Sequence, residues 1–145
     1  DPDYFDAWNN KGNALSQLQS YDDAICSYEK AIEIDSCDTK TWFNEGLAYI
    51  NLGRYERAID CFDEVLEIDL SYIPAWIYRG IALNRLGRYE EALASFEEAL
   101  EINTSDPAAW HFKGEVLYKL GLKKESDDAL SKAAALGWKF EVALH

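Results

Sequence analysis

The chain has 145 residues, 48% of them hydrophobic, and a formal net charge of −13 at pH 7. This acidity argues against a nucleic-acid partner, because nucleic-acid binding needs cations against the phosphates. No apolar run approaches the ~20 residues of a membrane-spanning helix, so no membrane partner is expected either.

Apolar residues at helical spacing predict helix pairs, in chain order, at about 5–35, 39–69, 73–103 and 107–137. In the second pair, Trp42, Gly46 and Tyr49 lie on one helical face, and Gly53 then interrupts the pattern. The fourth pair has a clear start signal, because Asp106 can cap a helix and Pro107 suits its first position. We therefore expect an all-α protein.

One unit recurs every 34 residues, and the recurring positions carry similar side chains in the same order. The positions are Trp8, Trp42, Trp76 and Trp110; Gly12, Gly46, Gly80 and Gly114; Tyr21, Tyr55 and Tyr89; Ala24, Ala58 and Ala92; Tyr28, Phe62 and Phe96; and Ala31, Val65 and Ala99. In period and residue order the chain resembles tetratricopeptide repeats. The resemblance implies a right-handed α-solenoid, the superhelix of antiparallel helix pairs that this family forms.

The repeat boundaries follow from the same period. We assign residues 1–4 to the tail of a preceding repeat, 5–38, 39–72, 73–106 and 107–140 to four repeats, and 141–145 to a truncated repeat or capping helix. Trp138 is expected to pack against the fourth helix pair. The uncovered end of the array predicts end-to-end self-association.

The chain departs from the family at two positions of the repeat. The family's usual proline is replaced by Ser36, Leu70, Thr104 and Trp138, and the leucine before the glycine by Lys11, Glu45, Arg79 and Lys113. We expect the charged residues to lie side by side in stacked repeats, with Glu45 between two cations. Exposed pairs of this kind contribute only ~0–1 kcal/mol.

No catalytic motif is present, so an enzyme, a cofactor or a metal site is not expected within these residues. His111 and His145 are the two histidines, and the three cysteines lack the Cys-x-x-Cys spacing of zinc sites. Free thiols are typical of an intracellular protein, and we expect a cytoplasmic one.

The candidate binding surface lies on the first helix of each pair. One face must pack inward with the Trp and Gly, and the resemblance implies that the adjacent face lines a concave, peptide-binding groove. We call this set of residues the stripe: Asn9, Asn13, Lys40, Phe43, Leu47, Ile50, Ile77, Ile81, Asn84, His111 and Tyr118. Its apolar centre, containing Phe43, Leu47, Ile77 and Ile81, is predicted to be an exposed patch, as interaction sites often are.

The expected function is a protein–protein interaction module, a scaffold or adaptor, that binds a peptide or helix with apolar side chains. Family members that grip acidic chaperone tails use a lysine, asparagine, asparagine, lysine and arginine clamp. Asn13 and Asn44 match its asparagines, but the basic positions hold Asn9, Pro74 and Tyr78, so this clamp is not expected.

Alternatives to a binding groove remain open at this point. Neighbouring helices or a second copy of the chain could cover the stripe. The array could then be a structural spacer or self-association module, or a regulatory segment of a larger protein whose catalytic domain lies elsewhere.

Overall fold

The computed structural model describes residues 2–139, which form eight α-helices and no strand. The helices are α1 (Pro2–Gln17), α2 (Tyr21–Ile34), α3 (Thr39–Asn51), α4 (Tyr55–Ile68), α5 (Ile73–Arg85), α6 (Tyr89–Ile102), α7 (Pro107–Lys119) and α8 (Lys123–Ala135). They stack in chain order as four pairs, which confirms the all-α solenoid and the predicted helix pairs. The segment predicted at 141–145 lies outside the described residues.

Side-chain caps and left-handed turns set the ends of these helices. Asp38 and Asp106 each accept a hydrogen bond from the backbone N–H three residues later, at 3.0 Å, and so begin α3 and α7. The turn after α3 passes through Gly53 at φ 72°, a conformation that a β-carbon disfavours. Gln19 adopts φ 61° at the corresponding turn of the first repeat, where no glycine is available.

Among residues 2–139, no helix combines the length and apolarity needed to cross a bilayer.

The core within each pair forms where a glycine of the first helix faces a large side chain of the second. A β-carbon on Gly46 would lie 2.6 Å from the ring of Phe62, and one on Gly80 would lie 2.6 Å from Phe96. These phenylalanine rings are fully buried between the helices. The recurring glycines therefore allow the close contact of backbone and ring that holds each pair together.

The fourth repeat replaces the small alanine of this core with Ser126. Its side chain is buried, and its hydroxyl donates a 2.7 Å hydrogen bond to the carbonyl of Gly114. Because a buried hydroxyl needs such a partner, the substitution keeps the close helix contact without leaving a polar group unsatisfied.

Three of the first-helix tryptophans also tie their helices to the preceding turn. The indole N–H of Trp42 donates to the carbonyl of Ser36 at 2.9 Å, and that of Trp76 donates to Leu70 at 2.9 Å. Trp110 repeats the contact with the carbonyl of Thr104 at 2.8 Å. Successive repeats are thus joined by a hydrogen bond as well as by apolar contact.

Candidate functional site

The apolar centre of the stripe is more buried than the sequence predicted. Ile77 is only 8% exposed and lies in the core cluster that also contains Ile59 and Phe96. Ile50 and Ile81 are partly buried against this cluster, and Leu47 is partly buried against a second core cluster that contains Phe62. The prediction of an exposed patch is therefore wrong for Ile77, because neighbouring helices cover it. Phe43, Leu47 and Ile81, the other three residues of the predicted patch, keep part of their surface in solvent.

Phe43 lies in an aromatic cluster between the second and third repeats. Its ring centroid is 5.8 Å from Phe62, 5.5 Å from Tyr72 and 5.6 Å from Tyr78. These separations and the steep ring angles to the tyrosines are those of favourable edge contacts. Phe43 is thus partly buried and held in place, and the two tyrosines border the stripe at a position that the period alone did not indicate.

A polar cavity of about 470 Å³ opens at the N-terminal end of the stripe. Asn13 accepts a 2.8 Å hydrogen bond from the hydroxyl of Tyr28 and a 3.3 Å bond from the side-chain amide of Asn44. Asn51 and Leu47 line the same cavity. Amide groups therefore converge beside a partly exposed leucine. Of these five residues, sequence reasoning had placed only Asn13 and Leu47 in the site.

Asn9 and Lys40, two further stripe residues, are not among the residues that line this cavity. Asn9 accepts a 3.2 Å hydrogen bond from the Thr41 hydroxyl, which links the first and second repeats. Lys40 is exposed to solvent.

The C-terminal end of the stripe is aromatic and partly charged. The His111 ring stacks on Trp138 with centroids 4.7 Å apart, and Trp138 also meets Phe112 edge-on at 5.7 Å. These contacts confirm that Trp138 packs against the fourth helix pair. The imidazole Nε2 of His111 lies 3.8 Å from Glu115 Oε1.

The two remaining stripe residues are Asn84 on α5 and Tyr118 on α7. Asn84 accepts a 2.9 Å hydrogen bond from the ammonium group of Lys119, which joins α5 to the end of α7. Tyr118 is 65% exposed. The stripe therefore runs from a polar N-terminal end, through a largely buried apolar centre, to an aromatic C-terminal end.

The charged positions before the glycines do not pair with one another, contrary to the prediction. Arg79 Nε lies 2.7 Å from Asp63 Oδ1, and Lys113 Nζ lies 3.6 Å from Glu97 Oε1. Both cations thus pair with the second helix of the preceding repeat. At this position of the repeat, the side chain therefore faces the preceding second helix and not the neighbouring first helix.

Glu45 occupies the same position in the second repeat and is only 4% exposed. Its counterpart on the preceding second helix is Glu29, so two carboxylates face each other where later repeats have an ion pair. Burial, and then the charge of Glu29, raise the pKa of Glu45 to about 7. The neighbouring Cys61 side chain offsets part of this rise in the pKa of Glu45. The prediction of an exposed Glu45 between two cations is therefore wrong.

No metal centre is indicated in the part of the chain that the structure describes, since no cluster of His, Cys, Asp or Glu within 2–139 has ligand geometry. Burial and the neighbouring Glu45 carboxylate raise the pKa of the Cys61 thiol. This shift makes Cys61 an inert buried thiol, because nucleophilic chemistry requires the thiolate.

Two family models, both described as tetratricopeptide repeat, match residues 5–36 and 43–107. A search of curated proteins found no match. A crystal structure of MamA superposes with a TM-score of 0.88 at 20% identity, covering 94% of this chain and 80% of MamA. The Arabidopsis OM64 TPR domain gives 0.76 at 24% identity, covering 81% and 97% of the two chains.

The first TPR of Spaghetti (RPAP3), solved with the HSP90 peptide SRMEEVD, is also similar. It superposes with a TM-score of 0.79 at 26% identity, covering 83% of this chain and 96% of that domain.

Proposed function

Because the chain belongs to the tetratricopeptide-repeat family, we propose that it is a protein-interaction module that binds an extended peptide along the stripe. The observation that carries this proposal is the cavity of about 470 Å³ in which Asn13, Asn44 and Asn51 converge beside Leu47. The RPAP3 domain, which is bound to a peptide, gives a precedent for the use of this fold.

The chemistry of the cavity suits a peptide backbone. Asparagine side chains offer both an N–H donor and a carbonyl acceptor, which is what an extended backbone needs from its binding site. Asn13 already accepts bonds from Tyr28 and Asn44, so its position is fixed before a ligand arrives. Such preorganisation lowers the entropic cost of binding.

The partly exposed apolar residues set the preferred side chains of the ligand. Leu47, Ile50 and Ile81 leave some apolar surface in solvent beside the cavity and along the next repeat. Covering this surface favours a ligand with apolar side chains. The positions of the basic clamp hold Asn9, Pro74 and Tyr78, so an acidic tail such as the HSP90 peptide bound by the RPAP3 domain would find no cation there.

A peptide selected from a random display library tests this function. Replacing Leu47 with Asp should weaken binding of a selected peptide by at least tenfold, because a carboxylate would then lie where apolar side chains dock. Isothermal titration calorimetry measures the affinity, and circular dichroism checks the fold. The matched control is Ile102→Asp, which makes the same change at an exposed apolar residue of α6 and should leave affinity within twofold.

Asn51→Ala provides a second variant, because Asn51 is exposed and its loss is compatible with a helix. It should also weaken the peptide several-fold. Equal affinities for the wild type, Leu47→Asp and Asn51→Ala would contradict binding at this cavity.

A further inference from the structure

The tryptophan of each repeat has two positions beside its ring, three and twenty-two residues further along the chain. In the first and fourth repeats both positions are lysines, with Nζ between 4.3 and 5.2 Å from the ring centroid: Lys11 and Lys30 over Trp8, and Lys113 and Lys132 over Trp110. This geometry is that of a cation–π contact. The array thus shows where a cation lies against its tryptophans.

The second repeat reverses the charge at both positions. Glu45 and Glu64 stand beside Trp42, and within residues 2–139 no cation lies over that ring. The nearby Arg57 instead lies over Tyr49, 5.8 Å from its centroid. Trp42 therefore has the surroundings that hold a cation in its sister repeats, but with anions in place of the lysines.

A cavity of about 440 Å³ lies at this place, between α2, α3 and α4. Its charged lining is Glu29, Glu33, Glu45, Asp60, Glu64 and Arg57. Ile32, Trp42 and Tyr49 supply apolar and aromatic surface in the same cavity. The charge and the apolar walls together fit a cation on an aliphatic stem.

Glu45 gives an independent sign that a ligand group is missing. Its Oε2 atom is buried without any hydrogen-bond partner, although Glu45 lines the cavity. A buried acceptor left without a donor costs ~1–3 kcal/mol, and more when it is charged. A donor entering the cavity would remove this cost.

We propose that this cavity binds a lysine or arginine side chain presented by a partner protein. The ammonium or guanidinium group donates to Glu45 and lies over Trp42, in the place that Lys30 and Lys132 occupy in their own repeats. The aliphatic stem contacts Ile32 and Tyr49. The cavity shares no residue with the stripe, so this site is independent of the peptide groove.

The test is an NMR titration of the ¹⁵N-labelled chain with three blocked amino acids: N-acetyl-lysine, N-acetyl-arginine and N-acetyl-norleucine methylamides. Lysine or arginine should shift the Trp42 indole signal and bind at least tenfold more tightly than norleucine, which has a similar stem without the charge. Equal binding of norleucine would overturn the proposal. A parallel titration with spermidine tests a small polyamine as the ligand. Binding of spermidine with no response to the lysine or arginine derivative would overturn the assignment to a protein side chain.

Three variants locate the site. Glu45→Gln should weaken the lysine probe at least tenfold, while Glu98→Gln, with the same charge change at the third-repeat equivalent of Glu64, should stay within twofold. Glu64→Lys alters an exposed residue and should block the cavity with an internal ammonium, as in the first and fourth repeats. Lysine binding that survives Glu64→Lys, or that falls equally in Glu98→Gln, would contradict the site.

Discussion

Replacing Phe62 with alanine should lower the free energy of unfolding by about 3–5 kcal/mol, the range for a large aromatic side chain removed from a core. The ring is fully buried between α3 and α4. Its ring also packs against that of Phe43, with centroids 5.8 Å apart, so its loss opens space on the stripe side of the array. Urea unfolding followed by far-ultraviolet circular dichroism measures the change.

The contact between Gly46 and Phe62 makes a sharper test than either residue alone. In the wild type, Gly46→Ala should cost about 1–3 kcal/mol, because the new methyl group would meet the Phe62 ring at 2.6 Å. In the Phe62→Ala background the same change should be neutral or stabilise by up to ~1 kcal/mol, the helix preference of alanine over glycine. An equal cost of Gly46→Ala in both backgrounds would show that the ring is not what requires the glycine.

Replacing Glu45 with glutamine should stabilise the protein at pH 8 by about 1–3 kcal/mol. The pKa of Glu45 is raised to about 7 from an ordinary value of 4.5, so the folded chain holds this proton more tightly than the unfolded chain. The stability that the neutral carboxyl contributes is fully present below about pH 4.5 and is lost as the pH rises through 7. At about 1.4 kcal/mol per pKa unit, the shift amounts to a few kcal/mol.

Glutamine keeps the shape of the neutral carboxyl but does not ionise. The gain from Glu45→Gln should therefore shrink as the pH falls and almost vanish by about pH 4. The control is Glu64→Gln, an exposed neighbour on α4 that should change stability by less than about 0.5 kcal/mol at any of these pH values. A loss of stability in Glu45→Gln at pH 8 would mean that an ionised carboxylate is favourable there.

The fold could be predicted from the sequence because its signals are local and repeated. The helix start at Asp106 and Pro107 and the interruption at Gly53 depend on backbone chemistry near each residue, and the structure confirms both. The small residues and the large ring of each core recur together in the sequence, so the packing within a helix pair could also be predicted from it. Gly46 and Phe62 illustrate this contact.

The site was harder to predict because it depends on contacts between repeats. Ile77 lies on the predicted stripe, yet the adjacent pairs bury it, and no single-helix pattern reports that contact. The period places Glu45 beside the equivalent residues of the neighbouring first helices. Arg79, which holds the same position in the third repeat, instead pairs with Asp63 on the preceding second helix. A comparison sixteen residues back would have paired Arg79 with Asp63 and exposed the mismatch of Glu45 with Glu29.

The indole hydrogen bonds of Trp42, Trp76 and Trp110 explain how this array varies where its family usually has proline. Their acceptors are the main-chain oxygens of Ser36, Leu70 and Thr104, the residues that replace that proline. A main-chain oxygen is present whatever the side chain, so this bond does not require a particular residue type. What proline would add is a stiffer unfolded chain. Its absence thus leaves the three indole hydrogen bonds in place and changes the entropy of the denatured ensemble.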